Sequence, residues 1–379
     1  MGKRRAAWLL LLAAGLGLYL FDNGGGTRLL LAAVLLLPLC SGAALLLSPP
    51  RVTAELALPE GGRRGQALIG KLTLKNGGRL PLPLTECLVA VENRFTGERL
   101  SLTWAGGLRA GETVTAELDL TAAHCGMLAA EVSCLRVMDP LGLFARRIPC
   151  PAGDSCLVPP EVHPVEVALA EAADFLVDSE SYSASRPGYD PSETFQIRPY
   201  APGDPLRQVH WKLSEKTGEL MVRDFGLPVV NDALLLLEPE GTDGDGLDTL
   251  LDLLSSVSRA LLARGTAHTV GWPAEGEYRS WEVLTPEDLD ALWALLLAKR
   301  AGGGRPVTEC YEDAAGPAVY AHVAVLASRL PAGCGALCRG NRVTALLPEG
   351  GGLDRWTEGV EVIPFSRALL DQGELTLEL

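Results

Sequence analysis

Two long uncharged segments at the start of the chain constrain its fold more than any other feature. Ala6–Phe21 and Leu29–Leu47 contain 16 and 19 consecutive residues without a charged side chain. Each is about long enough to cross a hydrocarbon core of roughly 30 Å, the first only marginally. The polar, Gly-rich link Asp22–Arg28 leaves room for a tight turn. The sequence therefore predicts a hairpin of two transmembrane helices over residues 1–50.

A cleaved signal peptide and a buried soluble hairpin are the alternative interpretations of these segments. Lys3, Arg4 and Arg5 before an apolar run fit a signal peptide, but no Ala-x-Ala cleavage site follows Phe21. Both segments are apolar on all sides, which disfavours a soluble hairpin. The three basic residues outnumber Arg28 in the link, and basic residues favour the cytoplasmic side. We expect a multi-pass membrane protein with cytoplasmic soluble domains.

The charge balance argues against nucleic acid as a partner, and the cysteines favour a reducing compartment. The net charge is −14 and the isoelectric point is about 4.9, so the chain on average repels nucleic acid and anionic lipid headgroups. The nine cysteines include no Cys-x-x-Cys pair, and Cys334 and Cys338 lack the further ligands of a zinc site. We interpret them mostly as small apolar residues, with a Cys150–Cys156 disulfide as the alternative.

Residues 51–150 have the pattern of a β-sandwich of the immunoglobulin type. Six short segments of alternating apolar residues, separated by Gly, Asn and Pro turn signals, recur at a spacing of roughly ten residues. They cover residues 52–58, 66–75, 84–93, 98–104, 112–120 and 127–138. Because they contain no convergent set of acids, bases or metal ligands, we expect a spacer or docking module beside the membrane. The polar residues 151–197 predict an irregular linker.

Residues 198–225 hold the densest group of polar and aromatic side chains in the chain. The sequence of 201–204 predicts a turn, with proline at its second position and a glycine that accepts a positive φ. Asp204 followed by Pro205 predicts a helix N-terminus, and the helix would run to about Lys212. A strand would follow after Gly218. We call residues 198–225 the signature.

Two interpretations of the signature remain open. On the predicted helix, Arg207 and Trp211 lie one turn apart, so the guanidinium is expected to stack on the indole. Asp204, Arg207, His210 and Lys212 could form a site for an anion, a nucleotide or an acidic loop of a partner. Alternatively, the charges pair with one another and hold the turn against a sheet. The near balance of acidic and basic residues slightly favours this structural role.

The signature resembles the hallmark of the family catalogued as domain of unknown function 58. That hallmark combines Arg-x-Tyr, Pro-Gly-Asp, Arg-x-(Ile/Val)-(His/Asp)-Trp-(Lys/Arg) and a Leu-x-Val-Arg strand. The turn Asp139–Phe144 and the paired N-terminal segments also resemble features of these proteins. The resemblance makes these residues candidates for partner binding: Arg198, Tyr200, Gly203, Asp204, Arg207, His210, Trp211 and Lys212.

The resemblance implies a protein of the bacterial inner membrane whose C-terminal part is similar to a von Willebrand factor type A domain. Genes of family members often lie near genes for MoxR-type AAA+ ATPases and transglutaminase-like membrane proteins, so both are candidate partners. No biochemical activity is settled for the family, and the resemblance implies no reaction.

The pattern of residues 226–379 independently predicts an α/β domain. The apolar run 229–237 suits a buried strand, and leucines at helical spacing follow over 247–262. Further strands are expected at 267–272, 278–283, 319–326, 342–347 and 360–363, with a helix at 286–300. Alternation of strands and helices indicates a mostly parallel sheet. The signature and this von Willebrand factor A-like domain together span residues 198–379.

An acidic loop after the first of these strands is a candidate metal site. Ligands of parallel α/β sheets gather at the carboxyl ends of the strands. A von Willebrand factor type A domain typically carries Asp-x-Ser-x-Ser there to hold a divalent cation, whereas this chain has Glu238, Glu240 and Thr242. Either the site has lost its geometry, or it is an unusual acidic site for Mg²⁺ or Ca²⁺. An ordinary acidic loop is the alternative that we favour.

These observations support three hypotheses about function. The first is a membrane-anchored, non-enzymatic scaffold that docks protein partners, without catalytic residues and without a required cofactor. The second is a protein-binding domain that depends on a divalent metal at Glu238, Glu240 and Thr242. The third is an enzyme built on Asp204, Arg207 and His210.

Overall fold

The computed structural model describes most of the chain and divides it into two compact units. The first unit comprises Met1–Pro159 and Ala294–Arg300, and the second Pro160–Trp293 and Ala301–Leu379. The described residues are 2–22, 24–47, 50–168, 182–188, 190–201, 204–228, 233–302, 304–315, 320, 322–338, 342–349, 356–357, 359–373 and 375–378.

Two N-terminal helices begin the first unit, as predicted. α1 (Gly2–Phe21) and α2 (Gly25–Leu47) contain 20 and 23 residues, which corresponds to about 30 and 35 Å. Both are long and apolar enough to cross a membrane, by length and composition. Gly15 of α1 is buried and faces α2, where a Cβ would make an ordinary contact of 3.6 Å with the Leu30 side chain.

Eight strands follow the helices, and the six segments of alternating residues are confirmed as strands. β1, β2 and β5 form one antiparallel sheet, while β4, β3, β6 and β7 form another, to which β8 is added through β6. The strands are β1 (Val52–Ala57), β2 (Ala67–Asn76), β3 (Leu82–Asn93), β4 (Arg99–Leu108), β5 (Thr113–Thr121), β6 (Gly126–Met138), β7 (Ala145–Ile148) and β8 (Gly153–Val158).

The two sheets bury one shared core, so residues 52–158 form a β-sandwich. Along β2 every second side chain is buried, and Leu72 and Leu74 are fully enclosed. Val89 on β3 and Val137 on β6 contribute to the same cluster from the opposite sheet. Each fully buried apolar side chain of this size contributes about 1.5–3 kcal/mol relative to exposure.

All nine cysteines are free, so the alternative of a Cys150–Cys156 disulfide is wrong. Cys87 lies in the sandwich core and is fully buried. Burial, with smaller effects of nearby Cys150 and Cys134, raises the pKa of the Cys87 thiol to about 11. A thiol with a raised pKa is unreactive at neutral pH, which agrees with a role as an apolar core residue.

The turn between β6 and β7 contacts the ends of both N-terminal helices. Asp139 is buried and accepts hydrogen bonds from the amides of Leu141 and Phe144 within the turn. Its Oδ2 also accepts a hydrogen bond of 2.6 Å from the Ser41 hydroxyl of α2. Arg5 of α1 donates from Nε to the carbonyl of Leu143 at 2.9 Å. The turn therefore attaches the sandwich to the base of the hairpin.

The second unit begins with short strands around the signature and continues into an α/β domain. The first elements are β9 (Glu166–Ala168), β10 (Tyr182–Gly188), β11 (Asp190–Pro199), a 3₁₀ turn (Leu206–Gln208), α3 (Trp211–Thr217) and β12 (Met221–Pro228). The α/β elements are β13 (Ala233–Glu238), α4 (Gly244–Ala263), β14 (His268–Ala274), β15 (Glu277–Val283), α5 (Pro286–Leu296), α6 (Val307–Ala315), β16 (His322–Ala327), α7 (Cys334–Leu337), β17 (Arg342–Pro348), β18 (Trp356–Thr357), β19 (Val360–Phe365), α8 (Arg367–Gln372) and β20 (Thr376–Glu378).

Seven strands of the α/β domain form one sheet in the order β15-β14-β13-β16-β17-β19-β18. The five neighbouring inner strands of the sheet are parallel; they are β14, β13, β16, β17 and β19. The two edge strands, β15 and β18, are antiparallel to their neighbours. All six residues of β13 and all six of β16 are buried, as expected for a sheet covered on both faces. The mostly parallel α/β sheet predicted from the sequence is confirmed.

The segment predicted as an irregular linker, 151–197, differs from the expectation. It contains β8, β9, β10 and most of β11, although residues 169–181 lie outside the described part of the chain. The partners of these strands are distant in sequence: β9 pairs with β20, and β10 and β11 pair with β12. Local composition misses such strands, because their hydrogen bonds depend on residues far along the chain.

Candidate functional site

The signature is folded around the antiparallel pair of β11 and β12. Their register places Arg198 opposite Val222 and Gln196 opposite Asp224. The backbone amide of Tyr200 donates to the carbonyl of Leu220 at 2.8 Å, which closes the loop that carries α3. The hairpin thus brings both ends of the signature together. Gly203 lies outside the described residues.

Arg198 binds two acidic side chains within the signature. Its terminal nitrogens donate to both carboxylate oxygens of Asp204 at 2.8 and 2.9 Å. Its Nε donates to Asp224 Oδ2 at 3.0 Å, and Gln196 donates to the same oxygen at 3.0 Å. We call these four residues the Arg198 cluster. The Arg198 guanidinium binds one carboxylate in a bidentate geometry and also binds a second carboxylate. Its positive charge is therefore compensated.

The pKa shifts in the Arg198 cluster have the same physical cause. The hydrogen bonds from Arg198, with a further bond from the Ala201 amide, lower the pKa of Asp204 from 3.8 to about 2. Hydrogen bonds to Asp204 and then Asp224 raise the pKa of Arg198 above its usual value. Both groups therefore remain charged across physiological pH, and neither suits proton transfer near neutrality.

The predicted helix from Asp204 to about Lys212 is wrong. Asp204 closes the preceding turn by accepting a hydrogen bond of 2.8 Å from the Ala201 amide, so it does not cap a following helix. Val209 then pairs with Val222 of β12 in an isolated bridge, which excludes helical conformation at that residue. The helix α3 begins only at Trp211. Arg207 and Trp211 therefore do not share a helix, and their predicted stacking has no structural basis.

His210 has a structural role at the start of α3. Its Nδ1 accepts a hydrogen bond from the Leu213 amide at 3.2 Å, as an N-cap side chain does. Its backbone amide donates to the Met221 carbonyl of β12 at 2.8 Å. Ser214 adds a second link, because its hydroxyl accepts from the Met221 amide at 2.8 Å. These bonds fix α3 on the hairpin.

Three of the candidate residues of the signature face solvent, whereas Tyr200 is half-buried. Arg207 and Lys212 are exposed, and 64% of the Trp211 surface is accessible. We call these three residues the outward face. A tryptophan exposed to this extent is unusual, because its large apolar surface favours burial. The signature therefore separates into internally paired residues and an exposed basic–aromatic face.

The second predicted site lies where the order of the parallel sheet reverses, between β13 and β16. Glu238 ends β13 and is only 5% exposed. Its carboxylate accepts from the Val307 amide at 2.6 Å and from the Glu240 amide at 3.1 Å. Val307 is the first residue of α6, so Glu238 satisfies a free amide at a helix N-terminus.

This arrangement does not favour Glu238, Glu240 and Thr242 as metal ligands. Glu240 is exposed, and the Thr242 hydroxyl donates to its carbonyl at 3.5 Å. Desolvation by burial raises the pKa of Glu238, against the opposing effect of the two amide hydrogen bonds. A carboxylate with a raised pKa and both oxygens bonded to amides is a weaker ligand for Mg²⁺ or Ca²⁺ than a free anionic one.

A second group of side chains could hold a metal ion and was missed by sequence reasoning. Glu161, His163 and Asp252 each offer a ligand atom, all within 4.8 Å of one another. His163 Nε2 lies 4.0 Å from Glu161 and 3.9 Å from Asp252. The detectable signal was a polar series on α4 at helical spacing, Asp248, Asp252 and Ser256, in an otherwise leucine-rich helix.

The side chain of Arg367 already pairs with part of this acidic group. Arg367 on α8 forms ion pairs with Asp252, with Glu161 at 3.4 Å and with Asp371 at 3.1 Å. The Asp252 carboxylate also accepts from the Glu161 amide at 2.8 Å. A metal ion would have to compete with the Arg367 guanidinium for the carboxylates, so this group also has a structural explanation.

A buried Ser–His pair is another polar feature of the α/β domain that the sequence did not predict. Ser258 Oγ lies 2.5 Å from His268 Nε2, and His268 Nδ1 lies 3.3 Å from the Thr266 carbonyl. Because a carbonyl only accepts, Nδ1 carries the hydrogen and Nε2 accepts from Ser258. Burial lowers the pKa of His268 to about 4. The two residues are at most 3% exposed, so the pair has a structural role.

Comparisons with known proteins identify only partial likenesses. No protein-family model matches the chain, and no curated protein matches it. The solved CARDB domain of a Pyrococcus furiosus protein in complex with di-metal ions is 19% identical over 29% of this chain and 93% of that domain, with a TM-score of 0.23.

Two larger proteins show similarly limited likenesses. A β-glucosidase from Listeria innocua is 14% identical over 27% of this chain and 16% of its own, with a TM-score of 0.20. The alkylpurine DNA glycosylase AlkC of Pseudomonas fluorescens is 15% identical over 39% and 42%, with a TM-score of 0.21. Each likeness covers less than half of the chain, and none describes the whole fold.

Proposed function

We propose that this protein is a membrane-anchored, non-enzymatic scaffold whose outward face docks a protein partner. The proposed location is the bacterial inner membrane, with both helices spanning it and the soluble units in the cytoplasm. The partner is proposed to be a MoxR-type AAA+ ATPase, in the assembly of envelope complexes that include a transglutaminase-like membrane protein. The sequence resemblance to the family catalogued as domain of unknown function 58 supports these assignments.

The observation that carries the proposal is the division of the signature into two parts. Arg198, Asp204 and His210 are engaged in hydrogen bonds within the fold, whereas Trp211 and Lys212 face solvent. Tryptophan and arginine, the types of Trp211 and the likewise exposed Arg207, dominate the binding energy of protein interfaces. The paired residues build a rigid support, and the exposed residues supply the contact.

The α/β unit is proposed to be similar to a von Willebrand factor type A domain. Support comes from the parallel sheet with antiparallel edges and from the acidic loop at the carboxyl end of β13. The orientation is supported by Lys3, Arg4 and Arg5 at the start of α1, against Arg28 in the link. A reporter active only in the cytoplasm, fused after Leu379, tests the orientation; inactivity there contradicts it.

The test of partner binding uses the full-length protein in lipid nanodiscs and the purified MoxR-type ATPase of the same organism. Retention of the ATPase is measured with and without ATP. Trp211→Ala is expected to weaken retention at least tenfold, as removal of an aromatic hot spot does. Lys212→Glu is expected to weaken it less.

Lys75→Glu on β2 is the matched control, because it makes the same charge change at an exposed residue of the sandwich. It should leave retention unchanged. Equal losses for Lys212→Glu and Lys75→Glu, or no retention of the ATPase by the unaltered protein, would contradict the proposal.

A divalent-metal-dependent protein-binding domain is the second candidate. The observation that favours it is the group of Glu161, His163 and Asp252, rather than the originally predicted Glu238, Glu240 and Thr242. Calorimetric titration with Mg²⁺, Mn²⁺ and Ca²⁺ distinguishes the locations. Loss of binding heat in Asp252→Asn alone assigns the ion to the group of Glu161, His163 and Asp252. Loss in Glu238→Gln alone assigns it to the loop after β13. Absence of heat in the unaltered protein removes this candidate.

A further inference from the structure

A bulge interrupts the regular pairing of β3 with β4 near the N-terminus of α1. Leu82 pairs with Leu108 and Thr85 pairs with Gly106, so three steps along β3 match only two along β4. The extra residue interrupts the ladder locally, and bulges of this kind often re-aim side chains next to binding sites. Gly107 suits this geometry, because a Cβ there would lie 3.1 Å from the Pro83 carbonyl.

A pocket of about 360 Å³ lies at this bulge, large enough for the headgroup of a phospholipid. It is lined by residues of α1, β3, β4 and the end of β6. They are Arg4, Pro83, Leu84, Thr85, Glu86, Ala105, Gly106, Gly107 and Met138.

Two polar groups lining the pocket have no partner among the described residues. The Thr85 hydroxyl is buried, with the residue 1% exposed, and its Oγ1 has no hydrogen-bond partner there. A buried hydroxyl left in this state is costly and calls for an explanation by an absent ligand or water. The Arg4 guanidinium likewise forms no ion pair with a described residue, whereas Glu86 is paired with Arg136 at 3.5 Å. The lining therefore holds one arginine and one glutamate, and of these two only the glutamate is in an ion pair with a described residue.

The turn at the hairpin base holds Arg4 at the pocket. Gly142 in that turn has a φ of +68°, and a Cβ there would collide with the Arg4 side chain. Glycine thus provides both the turn conformation and the space over which Arg4 extends. Arg4 is in the first turn of α1, so if the hairpin spans a membrane, the pocket lies at the level of the lipid headgroups.

We propose that this pocket binds the phosphodiester of an anionic glycerophospholipid. Arg4 pairs with the phosphate, and the Thr85 hydroxyl donates a hydrogen bond to one of its oxygens. The proposal rests on the membrane anchoring of the proposed function and gives that anchor a preference for lipid charge.

The test measures thermal unfolding of the full-length protein in a neutral detergent with short-chain phosphatidylglycerol, phosphatidylethanolamine or phosphatidylcholine. Phosphatidylglycerol is expected to give the largest increase in Tm. Arg4→Gln should weaken its apparent affinity about tenfold, the effect of losing a charge-assisted hydrogen bond. Thr85→Val should raise Tm without lipid, since it removes an unsatisfied hydroxyl, yet weaken the response to phosphatidylglycerol.

Lys3→Gln is the matched control, because it removes the same charge from the adjacent residue, which does not line the pocket. Equal weakening by Lys3→Gln and Arg4→Gln, an unchanged lipid response in Thr85→Val, or equal stabilisation by all three lipids overturns the proposal. Resistance of the protein to alkaline extraction from membranes is measured separately. Its loss contradicts the membrane anchor, whereas retained anchoring without lipid preference contradicts only the pocket.

Discussion

The signature and the carboxyl end of β13 both place a carboxylate at a turn, but they stabilise it in opposite ways. Asp204 binds a guanidinium within the same hairpin, and its pKa falls to about 2. Glu238 is buried against two backbone amides, and desolvation raises its pKa. At Asp204 the hydrogen bonds from a full positive charge thus outweigh the partial desolvation of the carboxylate, while at Glu238 the hydrogen bonds from two amides do not fully offset desolvation.

The difference also explains which site has exposed residues free for binding. In the Arg198 cluster, the charges compensate one another locally, so the neighbouring Trp211 and Lys212 are left to solvent. At the end of β13, the buried carboxylate of Glu238 accepts a hydrogen bond from the amide of Val307, the first residue of α6. The first region supports an interaction surface, and the second connects two elements of the sheet domain.

Glu238→Ala should cause the largest loss of stability. It tests whether hydrogen bonds from backbone amides alone hold this carboxylate. It leaves the buried amide of Val307 without its acceptor, which costs about 1–3 kcal/mol, and it removes a second, part-buried hydrogen bond to the charged carboxylate from the Glu240 amide, worth about 1.5 kcal/mol or more. The expected loss of unfolding free energy is roughly 4 kcal/mol, measured by denaturant unfolding in detergent. Glu238→Gln keeps an acceptor oxygen and should cost about 1 kcal/mol. Equal losses in both variants would show that the negative charge of Glu238 is essential. This result would contradict the view that amide hydrogen bonds alone hold Glu238.

Acidification should produce the next largest loss of stability, because it favours protonation of His268 in the same sheet. Its pKa is lowered by burial from 6.5 to about 4, so between these values the unfolded chain binds a proton that the folded chain does not. This contribution is complete above pH 6.5 and is lost as the pH falls to about 4. The loss is on the order of 3 kcal/mol. His268→Gln should flatten the dependence of Tm on pH in this range, and an unchanged slope contradicts the assignment.

Disruption of the Arg198 cluster should have a smaller effect, because its members are partly accessible to water. Arg198→Ala and Asp204→Ala should each lower Tm, and the double variant should lose no more than the worse single variant, since both remove the same interaction. The contribution of Asp204 is present above about pH 3.8 and disappears as the pH falls to about 2. Additive losses in thermal unfolding would indicate that the two residues act independently.

Trp211→Ala should have the smallest effect on stability and the clearest effect on binding. Because 64% of the residue is exposed, the change in unfolding free energy should stay within about 0.5 kcal/mol. Thermal unfolding beside the ATPase retention assay separates the two effects. A large loss of stability would mean that Trp211 supports the fold, and the outward face would no longer differ from the Arg198 cluster.

The elements with strong periodicity were predictable from the sequence, and those formed by distant pairing were not. The strand beginning at Val52 and the helix from Gly244 to Ala263 follow alternating and helical patterns that local sequence displays directly. By contrast, β9 acquires its partner only from β20. A strand of only three residues gives no local sign that such a partner exists.

The candidate sites show the same limit. The proximity of Arg198 and Asp204 follows from a turn of a few residues, so their mutual pairing was foreseeable as one of two interpretations. The hydrogen bond from the Val307 amide to Glu238 joins residues 69 positions apart in the sequence. It depends on where α6 begins relative to the sheet. The Thr85 hydroxyl became notable only through the bulge in β3, which no spacing in the sequence indicates.

The pairing of β9 with β20 has a consequence for biosynthesis. Thr376 lies beside Glu166 in this parallel pair, so almost the entire second unit must leave the ribosome before β9 can find its neighbour. At about 5–20 residues per second, that interval is on the order of ten seconds or more. The sandwich, whose strands end at Val158, can fold during this time, while the second unit waits for its last strand to be translated.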